Sequence, residues 1–205
     1  AGTSGQVLQT GGSGANPSWG TVSSDYVKIA SGSTTASAYI DIQGCFSTDY
    51  KIYKLIMAYN ISTSGYIEIG LLNASDNSHN SSTYCSFGGG QYSNSSSGNS
   101  RYTGQGNGAG YFAQSDSNGF RPINTWGCDK TDEHNQLEMT FDNPISTRKT
   151  MAMSSATWSQ GSYVGHYNAI GMHDTTSSMS GVRMNTSSGN NFTTTGYYAV
   201  YGLKL

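Results

Sequence analysis

The chain has 205 residues, of which only 11% are charged, and its formal net charge is −2. This length is enough for one good-sized hydrophobic core with a short appendage. The charge offers no basic field for phosphate backbones or anionic membranes, so we expect no nucleic-acid partner. We also expect no membrane insertion, because no apolar run approaches the roughly 20 residues needed to span a bilayer.

The composition favours an all-β protein. The chain has 27 glycines and 3 prolines, and Ser, Thr and Asn fill most of its polar positions. Such a composition can indicate disorder, but 12% of the residues are aromatic, including 15 tyrosines, and disordered chains are poor in aromatics. Short strands joined by small-residue turns explain both features, since Gly, Asn and Ser accept the backbone angles of turns.

Residues 1–24 are predicted to form an extended N-terminal arm, and residues 25–205 the folded domain. The arm holds isolated apolar residues, among them Val7, Leu8 and Trp19, between glycines and small polar residues. It has no core of its own, so we expect these three side chains to be buried against sister chains of a homotrimer. The chain begins at Ala1 rather than Met, and we expect it to be a fragment of a longer protein.

Short apolar alternations begin after the arm. Ala38, Ile40 and Ile42 alternate with polar or amphipathic residues, which is the pattern of a half-buried strand. The stretch Tyr50 to Ile61 is apolar on both faces and rich in β-favouring residues, and it predicts a central strand. Gly65 to Asn73 follows after an STSG turn, so we expect the two strands to form a hairpin.

Ser86 to Phe120 is dense in glycine, serine and asparagine. Structureless segments of this length inside a compact domain are unusual and tend to be functional or to hide short strands. We interpret this region as a decorated loop with one weak hairpin.

Strand patterns dominate the remainder of the chain. Leu137 to Asp142 alternates strictly until Pro144, Met151 to Trp158 and Gly161 to Ile170 look like a pair, and Ser180 to Ser187 and Thr194 to Leu205 are further strands. Eight or more strands at this spacing, without a convincing helix, predict an antiparallel two-sheet β-sandwich of jelly-roll type.

The three cysteines, Cys45, Cys85 and Cys128, cannot all pair within one chain and match no zinc pattern. We expect buried free thiols in strands. A disulfide between Cys85 and Cys128 is the alternative.

We predict no metal, no cofactor and no catalytic residue. Asp129, Asp132, Glu133 and His134 could ligate a hard cation, but they lack the carboxylate spacing and central glycine of a calcium loop, which favours a solvated turn. A polysaccharide depolymerase would need two convergent carboxylates. The 12 acidic residues are enough to supply such a pair. Polysaccharide depolymerases are, however, usually built on repeat-rich β-helices, and this sequence lacks such repeats.

The long polar region is the predicted binding surface, together with the turn between the strands at 151–158 and 161–170. Flat aromatic faces suit the apolar faces of sugars, and an arginine can donate a fork of hydrogen bonds to hydroxyls or carboxylates. The residues we predict to bind a receptor are Tyr92, Arg101, Tyr102, Tyr111, Trp126, Trp158 and Tyr163. The competing interpretation is that half or more of the aromatic residues are simply core.

Both ends of the chain carry motifs that are known from other proteins. The opening GTSGQVLQTGGSGANPSWG is similar to a G-x-x-GQVL-x-x-x-G-x-G-x-x-P-x-W stretch that recurs in tail-fibre and other virion proteins of bacteriophages, where a shaft joins a globular tip. The ending GYYAVYGLKL resembles the last strand of many tip domains, and LIMAYN and LEMTFDNP are similar to equivalent strands.

This resemblance implies a homotrimeric, non-enzymatic tip domain that attaches to a bacterial surface glycan or protein. Its expected location is the virion, on the tail fibre beside other tail proteins, after assembly in the bacterial cytoplasm. The resemblance brings no fixed set of binding residues. Two alternatives stay open: a virion structural or decoration protein, such as a head fibre, that binds no receptor, and a polysaccharide depolymerase.

Overall fold

A computed structural model describes residues 1–21, 25–63, 65–82, 84–94, 112–116, 118–122, 134–160, 163–187 and 189–204. Over these ranges the protein is all-β, with every strand pair antiparallel and no helix. Within the same ranges no helical segment could cross a membrane.

Two short strands within the first 21 residues form a hairpin. Strands β1 (Gln6–Gln9) and β2 (Ser18–Thr21) pair antiparallel in a sheet of their own, with Leu8 opposite Trp19. The glycine-rich segment between them supplies the turn, and Gly12 and Gly14 have positive φ angles that glycine adopts without strain. Val7, Leu8 and Trp19 are 41%, 59% and 49% exposed.

Most strands belong to one eight-stranded sheet. Its members, in order across the sheet, are β3 (Tyr26–Ser33), β13 (Tyr197–Leu203), β5 (Ile52–Tyr59), β9 (Asn135–Asp142), β10 (Thr150–Gln160), β11 (Tyr163–His173), β7 (Tyr84–Asn94) and β8 (Phe112–Asp116). Strands β9, β10 and β11 are consecutive in the chain and form a meander.

A smaller sheet has three strands. Its order is β4 (Tyr39–Ile42), β12 (Met179–Thr186) and β6 (Ile67–Asn73). Beyond β6, Phe120 forms an isolated bridge with Ile69, and their backbone groups exchange two hydrogen bonds of 2.8 Å. The segment around Phe120 therefore covers the edge that β6 would otherwise expose.

The two sheets contribute side chains to one hydrophobic core. Ile40, Ile69 and Val182 come from the smaller sheet, and Leu55 and Phe141 come from the larger one. Successive residues of a strand point to opposite faces of its sheet, so every second residue points away from this core. In β6 these residues, Glu68 and Leu72 among them, are also buried, whereas β4 and β12 carry exposed or partly exposed residues on the outer side of the smaller sheet.

Several strand predictions are confirmed. The alternation of Leu137 to Asp142 is seen in β9, whose odd-numbered residues are buried. The predicted pair is the β10–β11 hairpin, the central strand is β5 between β13 and β9, and Ser180 to Ser187 corresponds to β12.

Two predictions at the sheet level were wrong. The strands at 50–61 and 65–73 do not form a hairpin, because β5 lies in the larger sheet and β6 in the smaller one. The region from Ser86 is not a loop over its first nine residues: they belong to β7, which pairs with β11 over its full length and with β8 through the predicted hairpin. Pairing with β11 compensates the low strand propensity of Gly88, Gly89 and Gly90, and Gly88 also pairs with Phe112 of β8.

The cysteine prediction holds at one position and fails at another. Cys45 is a buried free thiol, and burial raises its pKa to about 12. Cys85 is also a free thiol, but it lies on β7 with its side chain exposed. Cys128, and with it the alternative disulfide, lies outside the described residues.

The outer surface of the larger sheet carries a row of exposed apolar side chains. Met153 on β10 lies opposite Ile170 on β11, which lies opposite Phe87 on β7. Their exposures are 66%, 50% and 51%. We call these three residues the Met153 row. Contiguous apolar side chains at such exposure are typical of interaction surfaces.

Candidate functional site

The receptor-binding residues predicted from the sequence fall into three groups. Arg101, Tyr102, Tyr111 and Trp126 lie outside the described residues. For Tyr92 and Tyr163 the backbone is described, in β7 and β11, but not the side chain. Trp158 is described in full.

Trp158 is a core residue. It is 5% exposed and belongs to the buried cluster between the sheets. It lies on β10 directly opposite Gly165 of β11, and a Cβ atom at Gly165 would come within 2.3 Å of the indole ring. The indole ring therefore packs over the backbone of Gly165 and is not accessible to a receptor. Trp158 thus fits the competing interpretation that many of the aromatic residues are simply core.

A different surface brings binding-type residues together in the described part of the chain. On the outer side of the smaller sheet, Tyr39 lies opposite Asn185, and Asp41 lies opposite Arg183. Their neighbours in sequence, such as Ile40 and Met184, point into the core. We call the surface formed by Tyr39, Asp41, Arg183 and Asn185 the Tyr39 face.

A bidentate ion pair lies at the centre of the Tyr39 face. Nε and Nη2 of Arg183 each donate a hydrogen bond of 2.6 Å to a different carboxylate oxygen of Asp41. The hydrogen bond to Asp41 raises the pKa of Arg183. The guanidinium also lies 4.2 Å from the ring centroid of Tyr39. Fork-to-fork pairing of this kind fixes both side chains in one geometry.

Tyr39 remains available beside this pair. It is 50% exposed, although the guanidinium of Arg183 packs against its ring. Asp41 and Arg183 keep 16% and 18% of their side chains exposed, so a ligand can reach both. The arrangement places an aromatic surface next to a carboxylate and a guanidinium.

His79 and Asn118 form a wall along one side of the face. The carbonyl oxygen of Asn118 lies 3.0 Å from Nε2 of His79 and accepts a hydrogen bond of 2.9 Å from Asn185. Both groups lie over Gly70 of β6, where a Cβ atom would come within 2.5 Å of His79. Burial, and then the positive charge of Arg183, lowers the pKa of His79.

A second ion pair is buried behind this wall. Nη2 of Arg121 donates a hydrogen bond of 2.9 Å to Oε1 of Glu68, and the two side chains are 8% and 4% exposed. The guanidinium of Arg121 lies 3.8 Å from the ring centroid of Tyr66. The pair joins the segment that contains Asn118 to strand β6, and thereby holds the wall of the Tyr39 face in position.

A buried cluster formed by His173, Asn80 and Tyr84 lies deeper in the protein. Nε2 of His173 lies 3.1 Å from Oδ1 of Asn80, and the imidazole stacks on Tyr84 at 4.3 Å between ring centroids. The Tyr84 hydroxyl donates to the carbonyl of Asn80 and accepts from the amide of Leu71, both at 2.9 Å. Burial lowers the pKa of His173 to about 4. His173 is fully buried, so this cluster is structural rather than a site for substrate.

Sequence reasoning missed the Tyr39 face. The alternation around residue 40 places Tyr39 and Asp41 on the polar side of a strand, but Arg183 and Asn185 are more than a hundred residues away. No local signal indicates that β4 pairs with β12. Among the described residues, no group of three or more His, Cys, Asp or Glu side chains could hold a metal ion.

Comparisons of this chain with protein-family models, with curated proteins and with solved structures find no match.

Proposed function

We propose that this chain is the distal receptor-binding domain of a bacteriophage tail fibre and that it binds a glycan of the bacterial surface without cleaving it. The observation that carries this proposal is the Tyr39 face. An exposed aromatic ring beside a pre-arranged carboxylate and guanidinium is suited to hydroxyl-rich ligands. The sequence resemblance at both ends of the chain supports the same function.

The carboxylates of this region support binding rather than hydrolysis. A glycosidase uses two carboxyl groups, one to protonate the leaving group and one to act as nucleophile or base. Asp41 is held by Arg183 through both of its oxygens, and Glu68 is buried against Arg121. Carboxylates held in this way are poorly placed to serve as acid or nucleophile.

A jelly-roll sandwich is the fold that we propose for this domain, and the strand order supports it. From β3 to β6 the chain alternates between the two sheets, and β13 lies between β3 and β5 as β12 lies between β4 and β6. The Phe120 segment takes a fourth position beside β6. Such interleaving is typical of a jelly roll built from two Greek keys. In this scheme β7–β8 and β10–β11 are insertions that widen one sheet.

Binding of the purified chain to bacterial cells tests the proposed function. Fluorescently labelled protein is incubated with a panel of bacterial strains and with the same strains after periodate oxidation of their surface glycans. We expect saturable binding to some strains and loss of binding after oxidation. Saturable binding to no strain would favour the head-fibre alternative, and shortening of a purified polysaccharide by the chain would favour a depolymerase.

We further propose that the domain is a homotrimer. Val7, Leu8 and Trp19 of the N-terminal hairpin and the Met153 row are exposed apolar groups that sister chains could bury. Light scattering is expected to give a mass three times the 21.7 kDa of one chain. Replacing both Leu8 and Trp19 by Asp should dissociate the trimer, because each chain would place two unpaired negative charges in the buried interface.

A matched variant identifies the surface involved. Val164→Asp introduces the same charge at a side chain that is 57% exposed but lies outside both apolar groups, and it should leave the trimer intact. Met153→Asp tests whether the Met153 row is part of the trimer interface. A monomer of the unaltered chain at micromolar concentration would contradict the proposal.

A further inference from the structure

We infer that the Tyr39 face selects uncharged sugars and rejects acidic ones. This inference rests on the proposed function and names the ligand class of the same site. It follows from how the charges of the face are paired, from which polar groups remain reachable, and from the position of the exposed aromatic ring.

The charges around the face neutralise each other. Both guanidinium groups have a carboxylate partner, Arg183 with Asp41 and Arg121 with Glu68. An acidic sugar could bind Arg183 through its carboxylate only by displacing Asp41 from two hydrogen bonds of 2.6 Å, or by placing its charge beside that of Asp41. Either route costs electrostatic energy, so the pair works against anionic ligands.

The same pair suits hydroxyl groups. A guanidinium carries five N–H donors, of which Asp41 accepts from Nε and Nη2, so Arg183 retains donors for a ligand. Each carboxylate oxygen of Asp41 has a further lone pair that can accept from a hydroxyl. Neighbouring hydroxyls of a sugar ring offer one acceptor and one donor at matching spacing, and they can bind without separating the ions.

Tyr39 supplies the apolar contact that a sugar ring needs. Its half-exposed side chain lies next to the ion pair on the same sheet surface. Sugar rings have one face lined by C–H groups, which packs on an aromatic ring while the hydroxyls point sideways to polar groups. Asn185 lies opposite Tyr39 and marks the side of the face bounded by the wall.

A glycan array with neutral and acidic oligosaccharides at equal density tests the inference. We expect the unaltered chain to bind neutral glycans and Tyr39→Ala to bind them about tenfold more weakly, the loss that corresponds to one aromatic stacking contact. Tyr197→Ala is the matched control, because Tyr197 is 58% exposed and lies on the other sheet. It should bind as the unaltered chain does.

A second variant tests the role of the ion pair directly. Asp41→Asn removes the negative charge and leaves the guanidinium of Arg183 to a ligand carboxylate. We expect this variant to lose neutral glycans and to gain acidic ones by about tenfold. Thermal unfolding of each variant shows whether the fold is retained, and Asn185→Ala gives an independent loss of binding if Asp41→Asn does not fold.

The outcomes separate this inference from the proposed function. Binding of acidic glycans by the unaltered chain, equal binding by Tyr39→Ala, or binding to no glycan overturns the inference. If Tyr39→Ala still binds bacterial cells as the unaltered chain does, the receptor-binding function stands and its site lies elsewhere. If the unaltered chain binds neither cells nor glycans, both proposals fail.

Discussion

Glu68→Gln is expected to lower the free energy of unfolding by about 3–5 kcal/mol, the usual cost of removing one partner from a buried ion pair. The substitution keeps the shape of the side chain but removes its charge, so the buried guanidinium of Arg121 loses the carboxylate of Glu68. The measurement is urea-induced unfolding of the two proteins at equal concentration, with the midpoint and the slope compared.

The chain contains a matched exposed pair as the control. Lys54 donates a hydrogen bond of 2.8 Å to Glu138 on the outer side of the larger sheet, and the two side chains are 25% and 50% exposed. Glu138→Gln should cost no more than about 1 kcal/mol, because solvent screens exposed ion pairs. Equal effects of Glu68→Gln and Glu138→Gln would show that burial of the Arg121 pair does not matter to stability.

A double replacement separates the pair from its surroundings. Combining Glu68→Met with Arg121→Met removes both charges from the buried position. Replacing a buried ion pair by apolar side chains is often neutral or stabilising, so we expect the double variant to be more stable than Glu68→Gln. Because Arg121 and Asn118 lie on the same short segment, the double variant also reports whether the ion pair is needed to hold the wall of the Tyr39 face.

Strands with one buried face could be predicted from the sequence because their pattern is local. In β9, Leu137, Met139 and Phe141 are buried and their neighbours are exposed or partly exposed, as the alternation indicates. Strand partners could not be predicted in this way. Tyr39 and Asn185 meet only because the chain passes between the sheets several times, and their register depends on every intervening connection.

The glycine-rich strand was misread for a different physical reason. Glycines at 88–90 lower strand propensity, but in the fold Gly90 lies opposite Tyr167, and a Cβ atom there would come within 2.6 Å of the tyrosine ring. Trp158 packs over Gly165 in the same manner. In both pairs a large aromatic side chain covers a glycine on the neighbouring strand, so these two glycines are needed for close packing within the sheet.

Acidification is expected to destabilise the protein through His173. Its imidazole is fully buried, and burial lowers its pKa from the ordinary value of 6.5 to about 4, with a smaller contribution from nearby His79. The hydrogen bonds show which ring nitrogen carries the proton in the neutral form. The side-chain nitrogen of Asn80 donates a hydrogen bond to Oδ1 of Asn73, and Oδ1 of Asn80 accepts one from the backbone amide of Ser82. These bonds identify the oxygen of the Asn80 side chain as the atom that faces His173. Nε2 of His173 is therefore protonated and donates to this oxygen.

Protonation would therefore occur at Nδ1 of His173. Among the groups that the structure describes, none forms a hydrogen bond with this atom. A charged imidazolium would place an N–H in the core without an acceptor, next to the stacked ring of Tyr84. The folded protein consequently resists proton uptake that the unfolded chain accepts.

The direction of the pH dependence follows from the pKa of His173, which is 6.5 in the unfolded chain and about 4 in the folded protein. Between pH 6.5 and pH 4 the unfolded chain binds a proton at His173 and the folded protein does not. The stabilising contribution is complete above pH 6.5 and is lost as the pH falls toward 4. The loss of stability amounts to about 2 kcal/mol at pH 5 and approaches about 3 kcal/mol at pH 4, at 1.36 kcal/mol for each pKa unit. His79, whose pKa is also lowered, adds to the loss in the same direction.

His173→Gln isolates this contribution. The free energy of unfolding is measured in urea at pH 7.5 and at pH 5 for both proteins. Its decrease between the two pH values should be about 2 kcal/mol smaller in the variant than in the unaltered chain, even though the variant is less stable at pH 7.5. His166→Gln is the control, because His166 lies on the same strand with its side chain exposed and should leave the difference unchanged. Contributions from all other groups are common to the three proteins, so they cancel in this comparison. If His173→Gln and the unaltered chain lose the same stability on acidification, the buried imidazole does not resist protonation and another group causes the acid sensitivity.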